Sequence, residues 1–574
     1  MNALASYRLL MTPLSPIHIG TGESYEPTNY VIEDEVLYEF DTGTAMHAFT
    51  EADRKRLLEI GNGAPEIEMI QAVQRFFYER RHRLMTQAVR HVPVLPGVAK
   101  FYAQRIGQSI QQETNGERVI NQLEIDRTAH VPTTRAPILF GSSIKGAIRT
   151  ALLDETNGGQ RASETKGLHE FQGRLFKYRI KCRSPERLLF FERDPLRLIR
   201  LADALWTAGP PGSATRVLLA VNRKKAAVTD ESGRARKSRA ESGDLYQTLE
   251  CLSPWRYRAF VGEVTVQDMA GLETCDQNAL PAADLRFDMA HIAHACNAFY
   301  APILEAEMHM LRGRGYLDEA WAKAMGRLLA ASAEKRQQGG VFLLRIGRHC
   351  GAESVTLNGA RRIMVKGRGR DAEELSAAKT WWLAAANKDQ QHNLLPFGWL
   401  LVEVLPLIDD IPVWTDLQTA CGPHLVEAEQ LADKLAAKVA EVEQAGREIE
   451  ARQLKEEEER LRRAVERERE VEIETARKVR REAELAALSP FERGIEEFLD
   501  RRPDKNQPEV SAVIAAVKQG HWRDDERPAV AAWLRARMQA TKGEWKEVSQ
   551  AKKPAKDREY QNTLLVKSWL DGES

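Results

Sequence analysis

The sequence predicts an α+β fold, and three observations point to it. Short apolar segments bounded by turn residues recur before residue 42 and again over 341–405, as expected of strands. Apolar residues recur every three or four positions over 45–112 and 284–333, as expected of helices that bury one face. Residues 427–488 contain no proline and a single glycine among dense Glu, Arg, Lys and Ala, which predicts one long exposed helix.

The composition is that of a protein that folds in water. The chain has 574 residues, enough for three or four domains, and 43% of them are apolar. No apolar run is long enough to cross a membrane and no signal segment begins the chain, so we expect a cytoplasmic protein without a membrane partner. The six cysteines form no CxxC pair, which favours reduced thiols over a zinc ribbon, and we predict no metal and no other cofactor.

Charge is balanced overall but segregated along the chain. The 83 Lys and Arg residues equal the 83 Asp and Glu residues. The segments 174–200 and 216–239 are nevertheless rich in Arg and Lys, whereas many acidic residues lie towards the C-terminus. Because phosphate binding depends on local basic surface, a formal net charge of zero does not exclude a nucleic-acid partner.

Taken in chain order, the N-terminal third combines strands with a helical insertion over about 45–130. The predicted strands are Arg8–Met11, Tyr30–Ile32, Val36–Phe40 and, further on, Leu188–Phe191. The predicted helices of the insertion include Asp53–Ile60 and Ile67–Arg90.

The central region predicts a long basic hairpin. Arg216–Asn222 is one apolar arm, and Trp255–Gly262 is its predicted partner. Between the arms, Arg223–Arg239 carries seven Arg or Lys residues and has no apolar face. We expect a nucleic acid or a neighbouring protein to order this segment, and a merely solvated loop is the alternative.

The chain ends in helices. The apolar stripe of 427–488 is thin, so this helix is either a solvated strut or a coiled coil. Ser489 and Pro490 end it. Residues 491–574 predict a small helical unit whose core or docking residues are Trp522, Trp533, Trp545 and Trp569.

The most informative segment is Pro137–Thr150, in which a short apolar run enters a glycine-bounded turn and then a helix pattern. Such a turn leaves backbone N–H groups at a helix N-terminus, where anions bind, and Lys145 and Arg149 add positive charge one turn apart. The two glycines have the spacing of an ATP-binding P-loop, but Ala147 and Ile148 stand where that loop requires Lys and Ser or Thr. The segment therefore predicts phosphate-backbone binding rather than nucleotide hydrolysis.

Two further glycine loops have the same character. Leu9–Gly22 is a strand broken by prolines that ends in a tight glycine turn. Phe342–Gly351 is a buried strand that opens into a basic glycine loop, to which Arg345, Arg348 and the later Arg361 supply charge. Each loop alone is a weak signal, but the three in this order form a specific combination.

In these motifs the chain resembles the RAMP superfamily of CRISPR proteins, and more narrowly the fifth subunits of type III-A (Csm) effector complexes. The resemblance covers about the first 420 residues and rests on SPIHIGTGESYEPTNYVI, GSSIKGAIRTALL, LLRIGRHCGAESVTLNGARR and LPFGWLLVEV. It implies a ferredoxin-like (RRM-like) βαββαβ core. It also implies a subunit that binds guide RNA (crRNA) near its 3′ end, with target RNA, backbone RAMP subunits and small helical subunits as partners.

With this resemblance, the chain divides into four predicted regions. They are two RAMP regions over 1–208 and 209–425, a long charged helix or coiled coil over 426–488, and a small helical domain over 489–574. The residues assigned to RNA contact are His18, Gly20, Gly22, Gly141, Ser142, Ser143, Lys145, Arg149, Arg223, Lys224, Arg345, Gly347, Arg348, Gly351 and Arg361.

One histidine is a candidate for catalysis. Some RAMP relatives are guide-processing endonucleases that use a histidine as general acid or base, which makes His18 the candidate here. No grouped partner completes such a site in the sequence, so a structural or RNA-contacting histidine is the interpretation that we favour.

Three other groups receive structural interpretations. His291 and His294 share a helix face that excludes Cys296, which favours helix packing over metal binding. The adjacent His349–Cys350 pair lacks an orienting acid, which argues against a nucleophilic pair. The acids that follow apolar runs are expected to cap helices or form salt bridges; they are Asp41, Asp194 and Asp203.

The sequence thus predicts a non-catalytic RNA-binding subunit that supports crRNA maturation and complex assembly in antiviral defence. One alternative is a metal-independent ribonuclease that processes guide RNA with His18. The other is a scaffold whose C-terminal helices recruit a further protein, such as a host nuclease.

Overall fold

The structure is a computed structural model of the chain. It describes residues 4–63, 66–108, 111–112, 118–119, 123–163, 168–178, 191–229, 232–236, 245–269, 280–365, 373–407, 410–549 and 551–572. The strands are β1 (Leu4–Pro13), β2 (Gly20–Tyr25), β3 (Tyr30–Glu33), β4 (Val36–Phe40), β5 (Ala88–Pro93), β6 (Gln111–Gln112), β7 (Arg118–Val119), β8 (Ile125–Thr128), β9 (Ile138–Leu139), β10 (Ile199–Leu201), β11 (Ala204–Trp206), β12 (Thr215–Lys224), β13 (Val228–Thr229), β14 (Ala235–Arg236), β15 (Tyr246–Leu252), β16 (Phe260–Gln267), β17 (Val341–Arg345), β18 (Ile363–Val365), β19 (Glu373–Leu375), β20 (Thr380–Ala385), β21 (Leu395–Pro396) and β22 (Trp399–Pro406).

The helices are α1 (Thr42–Ala48), α2 (Glu51–Gly63), α3 (Glu66–Glu79), α4 (Arg81–Met85), α5 (Pro96–Arg105), α6 (Gly141–Thr156), α7 (Leu168–Leu175), α8 (Met289–Gly313), α9 (Glu319–Ala331), α10 (Ala333–Gln337), α11 (Ala352–Val355), α12 (Thr415–Ala487), α13 (Pro490–Arg501), α14 (Glu509–Lys518), α15 (Arg527–Ala540) and α16 (Arg558–Leu570). Helix and sheet are thus mixed, as the sequence predicts. Two compact units contain them, Met1–Glu448 and Ile449–Ser574. No helix in the described part of the chain is long and apolar enough to cross a membrane.

Two sheets form the centre of the first unit. The strand order in the first sheet is β17-β22-β1-β16-β11-β9, with β10 also pairing with β16, and its pairs are antiparallel. The order in the second sheet is β2-β8-β15-β12-β20-β21, in which only the β8–β15 pair is parallel. Helices α6 and α8 pack on each other and on β17, so that they cover the first sheet with apolar side chains.

The chain passes repeatedly from one sheet to the other. Residues 14–19 connect β1 of the first sheet to β2 of the second, and residues 253–259 connect β15 back to β16. Residues 397–398 make the same passage between β21 and β22. The glycine loops of the sequence lie at or beside these crossings, where two backbones must approach each other closely.

The first arm of the predicted basic hairpin pairs with other strands than the sequence suggests. Strand β12 pairs with β15 and β20, not with Trp255–Gly262, so the predicted pairing is wrong. Trp255 and Arg258 have positive φ angles of 58° and 46°, so the chain turns before it enters β16 in the other sheet. Parts of the predicted tip (230–231 and 237–239) lie outside the described residues, as does 188–190 of the predicted strand Leu188–Phe191.

The predicted helix Ile67–Arg90 is shorter than its periodicity suggested. Helix α3 ends at Glu79, α4 occupies one turn after it, and Ala88–Pro93 is a strand that pairs with β4. The apolar positions at the end of the predicted helix therefore serve the three-stranded sheet β3-β4-β5, because pairing along β4 overrides the local helical pattern.

The second unit has a core of its own. Helix α13 starts with a capping box in which Ser489 and Glu492 satisfy each other's backbone N–H groups. Apolar residues of α13, α14, α15 and α16 form the core, which includes Trp522 and Trp569. Trp533 and Trp545 are partly buried against it. Helix α12 begins at Thr415, earlier than the predicted residue 427, and ends at Ala487.

Candidate nucleic-acid interface

Residues from all three glycine loops line one cleft of about 470 Å³. The N-terminal loop contributes His18 and Gly20, and the end of β17 with the loop after it contributes Arg345, Gly347 and Arg348. Helix α6 supplies a third wall of small side chains, which are Ser143, Gly146, Ala147 and Thr150. Segments that lie more than a hundred residues apart in the chain thus meet at a single surface.

Backbone hydrogen bonds join the N-terminal loop to the third loop and to the connection between β21 and β22. The Arg348 N–H donates to the His18 carbonyl oxygen at 2.8 Å, and the Gly398 N–H donates to that of Pro16 at 2.9 Å. Gly347 has a φ of 90°, and a Cβ at this position would overlap the His18 carbonyl. This approach requires glycine, both for the backbone angle and for the space.

The start of α6 is already occupied by an anion. The Gly141 N–H donates to the Asp203 carboxylate at 2.7 Å, so Asp203 caps the helix as expected. A Cβ on Gly141 would lie 2.7 Å from the Leu201 carbonyl oxygen, so this glycine serves close packing. The expected open anion site at this helix N-terminus is therefore absent, although Ser142 beside it is exposed.

The two cations of α6 lie away from the cleft. Lys145 donates to the Ile199 carbonyl oxygen at 2.8 Å, and burial lowers the pKa of its ammonium. Arg149 forms a 2.9 Å ion pair with Asp194 and also donates to Tyr178. Neither side chain lines the cleft, because the face that does so repeats at positions 143, 146, 147 and 150. Both cations thus have protein partners in this fold.

The two arginines of the third loop have different environments. Arg345 is 4% exposed and forms a 2.8 Å ion pair with Glu307, which also accepts from the indole of Trp399. The Arg348 side chain is 42% exposed and pairs with Asp126 at 2.6 Å. Arg348 can exchange this partner for a phosphate at the surface, whereas Arg345 cannot do so without leaving Glu307 buried and unpaired.

The other residues assigned to RNA contact do not line this cleft. Arg223 is buried and donates to the carbonyl oxygens of Lys388 and Gln390. Arg361 donates to Thr356 and to backbone oxygens. The rest are Gly22 with a φ of 83°, Gly351 with a φ of 75° and Lys224 at the end of β12.

His18 forms part of the cleft wall. It is 0% exposed, and its Nδ1 lies 2.7 Å from the carbonyl oxygen of Glu250. Burial lowers the pKa of the imidazole and outweighs the upward effects of the Glu250 backbone and of Asp126, and the charge of Arg348 adds a smaller downward effect. A neutral ring therefore carries its proton on Nδ1, because a carbonyl oxygen can only accept. In the described part of the chain, Nε2 has no hydrogen-bond partner.

A buried charged network lies behind this histidine. Glu250 of β15 is 0% exposed and forms a 2.5 Å ion pair with Arg90. Its carboxylate also accepts from Tyr25 at 3.0 Å and from Thr215 at 2.7 Å. Burial alone would raise the pKa of Glu250, but Arg90 and these hydrogen bonds lower it below its usual value. Sequence reasoning missed this network, because its members come from four separate strands.

The other candidate catalytic groups have structural partners. His349 stacks on Trp382 and lies 2.9 Å from Gln247, and burial lowers its pKa to about 3. Burial raises the pKa of Cys350 to about 12, so this thiol stays protonated.

The candidate metal ligands also serve the fold. His291 contacts Glu155 at 2.6 Å, His294 contacts a backbone oxygen, and Cys296 is buried. Asp41 caps α1. Within the residues described, no group of three or more His, Cys, Asp or Glu is placed to hold a metal ion.

Comparison with known proteins finds a family similarity in the N-terminal part of the chain. The RAMP superfamily model matches residues 10–267, which contain the N-terminal loop from Leu10 onwards and the loop that opens α6. This part of the chain, a little under half of its length, is similar to proteins of the RAMP superfamily. The third glycine loop lies beyond the matched region. No curated protein matches the sequence.

Similar solved structures include two described as parts of Csm systems. One is a chain of the "Cryo-EM structure of Csm-crRNA-target RNA ternary complex in type III-A CRISPR-Cas system", with 15% identity, a TM-score of 0.42, and coverage of 69% of this chain and 100% of that chain. The other is the crystal structure of T. onnurineus Csm5, with 14% identity, a TM-score of 0.38, and coverage of 68% and 99%.

Proposed function

We propose that this chain is a non-catalytic RNA-binding subunit of a type III-A CRISPR effector complex, which holds the 3′ region of crRNA. The observation that carries the proposal is the meeting of three glycine loops at one cleft, two of them in the RAMP region. Its partners would be crRNA, target RNA and the other Csm subunits.

The lining of the cleft supports a contact with RNA backbone. The small side chains of α6 and the glycines of the two loops let a sugar-phosphate chain approach the protein backbone closely. Arg348 supplies an exposed cation at the rim. Such contacts position a nucleic acid without reading its bases, which suits a subunit that must accept guides of many sequences.

The first sheet supports a ferredoxin-like core. Its neighbouring strands β22, β1, β16 and β11 are antiparallel, with α6 between β1 and β11 in the chain and α8 between β16 and β22. This succession matches a βαββαβ unit, with β17 as an additional strand at the edge.

The structure narrows the set of proposed contacts. We retain His18, Gly20, Ser143, Gly347 and Arg348, which line the cleft, together with the exposed Gly22 and Ser142. Gly141, Lys145, Arg149, Arg223 and Arg345 are assigned to building the fold, since each has protein partners. Lys224, Gly351 and Arg361 do not line the cleft and carry no part of the proposal.

The test is to co-purify the chain with the other effector subunits and to sequence the ends of the bound RNA. A 3′ subunit predicts guides with a defined 3′ end, which become heterogeneous or shorter when this chain is omitted. Unchanged guide ends and an intact complex without the chain would contradict the proposal.

One observation favours a second candidate, a ribonuclease that processes guide RNA. The unpartnered Nε2 of His18 could receive a proton from a ribose hydroxyl. This candidate requires that the purified chain cleaves guide RNA in the presence of a chelator and that His18→Ala abolishes the cleavage.

The separate core of the second unit favours an added role in recruitment. Ile449–Ser574 is compact by itself and has apolar and aromatic residues in its own core. If this unit recruits a further protein, such as a host nuclease, a chain that ends at residue 448 should keep its guide RNA and lose that protein.

A further inference from the structure

A buried acceptor without a donor lies in the wall of the cleft. His18 is 0% exposed, and its Nε2 has no hydrogen-bond partner among the described residues. Leaving a buried polar atom unsatisfied is unfavourable, so such atoms in folded proteins call for an explanation. Because His18 lines the cleft in which RNA is proposed to bind, a ligand atom can supply the missing donor.

The proton on the other ring nitrogen fixes what this ligand must offer. Nδ1 donates to the Glu250 carbonyl oxygen at 2.7 Å, so Nε2 carries the lone pair of a neutral ring. Glu250 is itself held by Arg90, Tyr25 and Thr215, so the carbonyl that orients the imidazole is part of a fixed network. Nε2 therefore requires a hydrogen-bond donor and has nothing to offer an anionic phosphate oxygen.

Gly20 lies close to Nε2 of His18 in the wall of the cleft. A Cβ built on Gly20 would lie 3.2 Å from Nε2, and Gly20 is exposed and lines the cleft. The pairing of β2 with β8 shifts register between Gly20 and Ser24, so the ladder does not hold the intervening residues. The turn at Gly20 is therefore the part of the cleft wall through which a ligand would reach Nε2.

The backbone of RNA contains one hydrogen-bond donor, the ribose 2′-hydroxyl, and DNA lacks it. We propose that Nε2 of His18 accepts a hydrogen bond from a ribose 2′-hydroxyl, so that this cleft selects RNA over DNA. The inference rests on the proposed RNA-binding function. Arg348 fits this assignment. Its backbone N–H is bonded to the His18 carbonyl oxygen, so the two residues are neighbours. A phosphate bound by the exposed guanidinium of Arg348 would therefore flank the ribose that contacts His18.

The experiment compares three single strands of one mixed sequence on the full-length chain. They are RNA, RNA with 2′-fluoro at every position, and DNA, and the affinities are measured at one salt concentration. The 2′-fluoro strand keeps the sugar pucker of RNA but cannot donate. The proposal predicts that the wild-type chain binds RNA about tenfold more tightly than either of the other strands.

Two variants remove the acceptor in different ways. His18→Asn keeps a donor near the Nδ1 position and has no atom at Nε2, whereas Gly20→Ala leaves the histidine and places a methyl group against Nε2. Both should reduce the ratio of RNA to 2′-fluoro affinity to about one. Gly326→Ala is the matched control, because Gly326 lies exposed on α9 with open space around it, and it should keep the wild-type ratio.

The outcomes separate this inference from the function on which it rests. Equal binding of RNA and 2′-fluoro RNA by the wild-type chain overturns the inference and leaves RNA binding intact. A wild-type preference that survives in Gly20→Ala and His18→Asn also overturns it. Failure of the wild-type chain to bind any of the three strands overturns the proposed function itself. Thermal unfolding of each variant verifies that it is folded.

Discussion

Arg345 and Arg348 belong to one loop, yet the fold gives them opposite environments. Arg345 is buried against Glu307 and Trp399 in the wall of the cleft, whereas Arg348 is exposed beside the partly exposed Asp126. A charged glycine loop therefore contains two kinds of residue, those that build the cleft and those that can face its ligand. The sequence motif does not distinguish them, since it records only that both are arginines.

Burial determines which kind each residue is. A buried ion pair contributes little net stability relative to apolar residues of the same shape, but removing one partner leaves a charge without compensation. An exposed pair contributes little in either case and can change partners. Substitutions beneath the cleft should therefore act on stability, and substitutions at the rim should act on binding.

The largest expected effect comes from the network behind His18. Glu250→Ala leaves Arg90 buried without its carboxylate and should destabilise the surrounding strands by about 3–5 kcal/mol. Hydrogen exchange of β12 and β15, followed by mass spectrometry, measures the local free energy of opening. Glu263→Ala is the control, since Glu263 is exposed on β16. Equal protection of β12 and β15 from hydrogen exchange in the two variants would show that this network does not stabilise the strands behind the cleft.

The next effect concerns the junction of two loops. Gly347→Ala imposes a side chain on a residue with a φ of 90° and overlaps the His18 carbonyl, which should cost about 3 kcal/mol. Gly22→Ala has a similar φ of 83° but open space around the new Cβ, so it should cost only about 1 kcal/mol. The thermal unfolding midpoints of the two variants test this order, and a reversed order would refute the packing argument.

The sequence predicted those parts of the fold that depend on local pattern. Strands β1, β3 and β4 include the predicted segments, because each alternates or clusters apolar residues between turn residues. Strand β15 escaped prediction because Glu250 interrupts its apolar pattern. The buried charge of that carboxylate is compensated by Arg90, which is distant in the chain.

The candidate site was predicted in outline and not in detail. The three glycine loops were selected by composition, and residues of all three line the cleft. Charge alone makes Lys145 and Arg149 candidate phosphate ligands, because the sequence does not show which face of α6 turns towards the other loops. Partners at distant positions, Ile199 and Asp194, determine that face, and no local pattern reveals them.

A third test separates the wall of the cleft from the stability of its helix. Gly146→Leu places a large side chain on the cleft face of α6, where a Cβ meets open space, and should lower RNA affinity about tenfold by blocking backbone approach. Because leucine forms helix better than glycine, the variant should be stabilised by up to about 1 kcal/mol. Gly326→Leu on α9 is the matched control, which should gain the same stability without losing affinity. Unchanged RNA binding by Gly146→Leu would place the RNA elsewhere.

The smallest expected effect is on RNA affinity at the exposed Arg348. One substitution there should weaken binding, and another should strengthen it. Arg348→Ala should weaken RNA binding severalfold and reduce the salt dependence by about one phosphate contact, with a slope change of about 0.7 for a single strand. Asp126→Asn removes the carboxylate that competes with RNA for the same guanidinium and should strengthen binding. Arg312→Ala breaks a similarly exposed pair with Glu319 on the surface and should change neither affinity nor slope. Binding isotherms over a series of salt concentrations measure all three variants. If Arg348→Ala and Arg312→Ala behave alike, no RNA phosphate contacts Arg348. The proposal that exposed residues of the third loop bind RNA would then be contradicted.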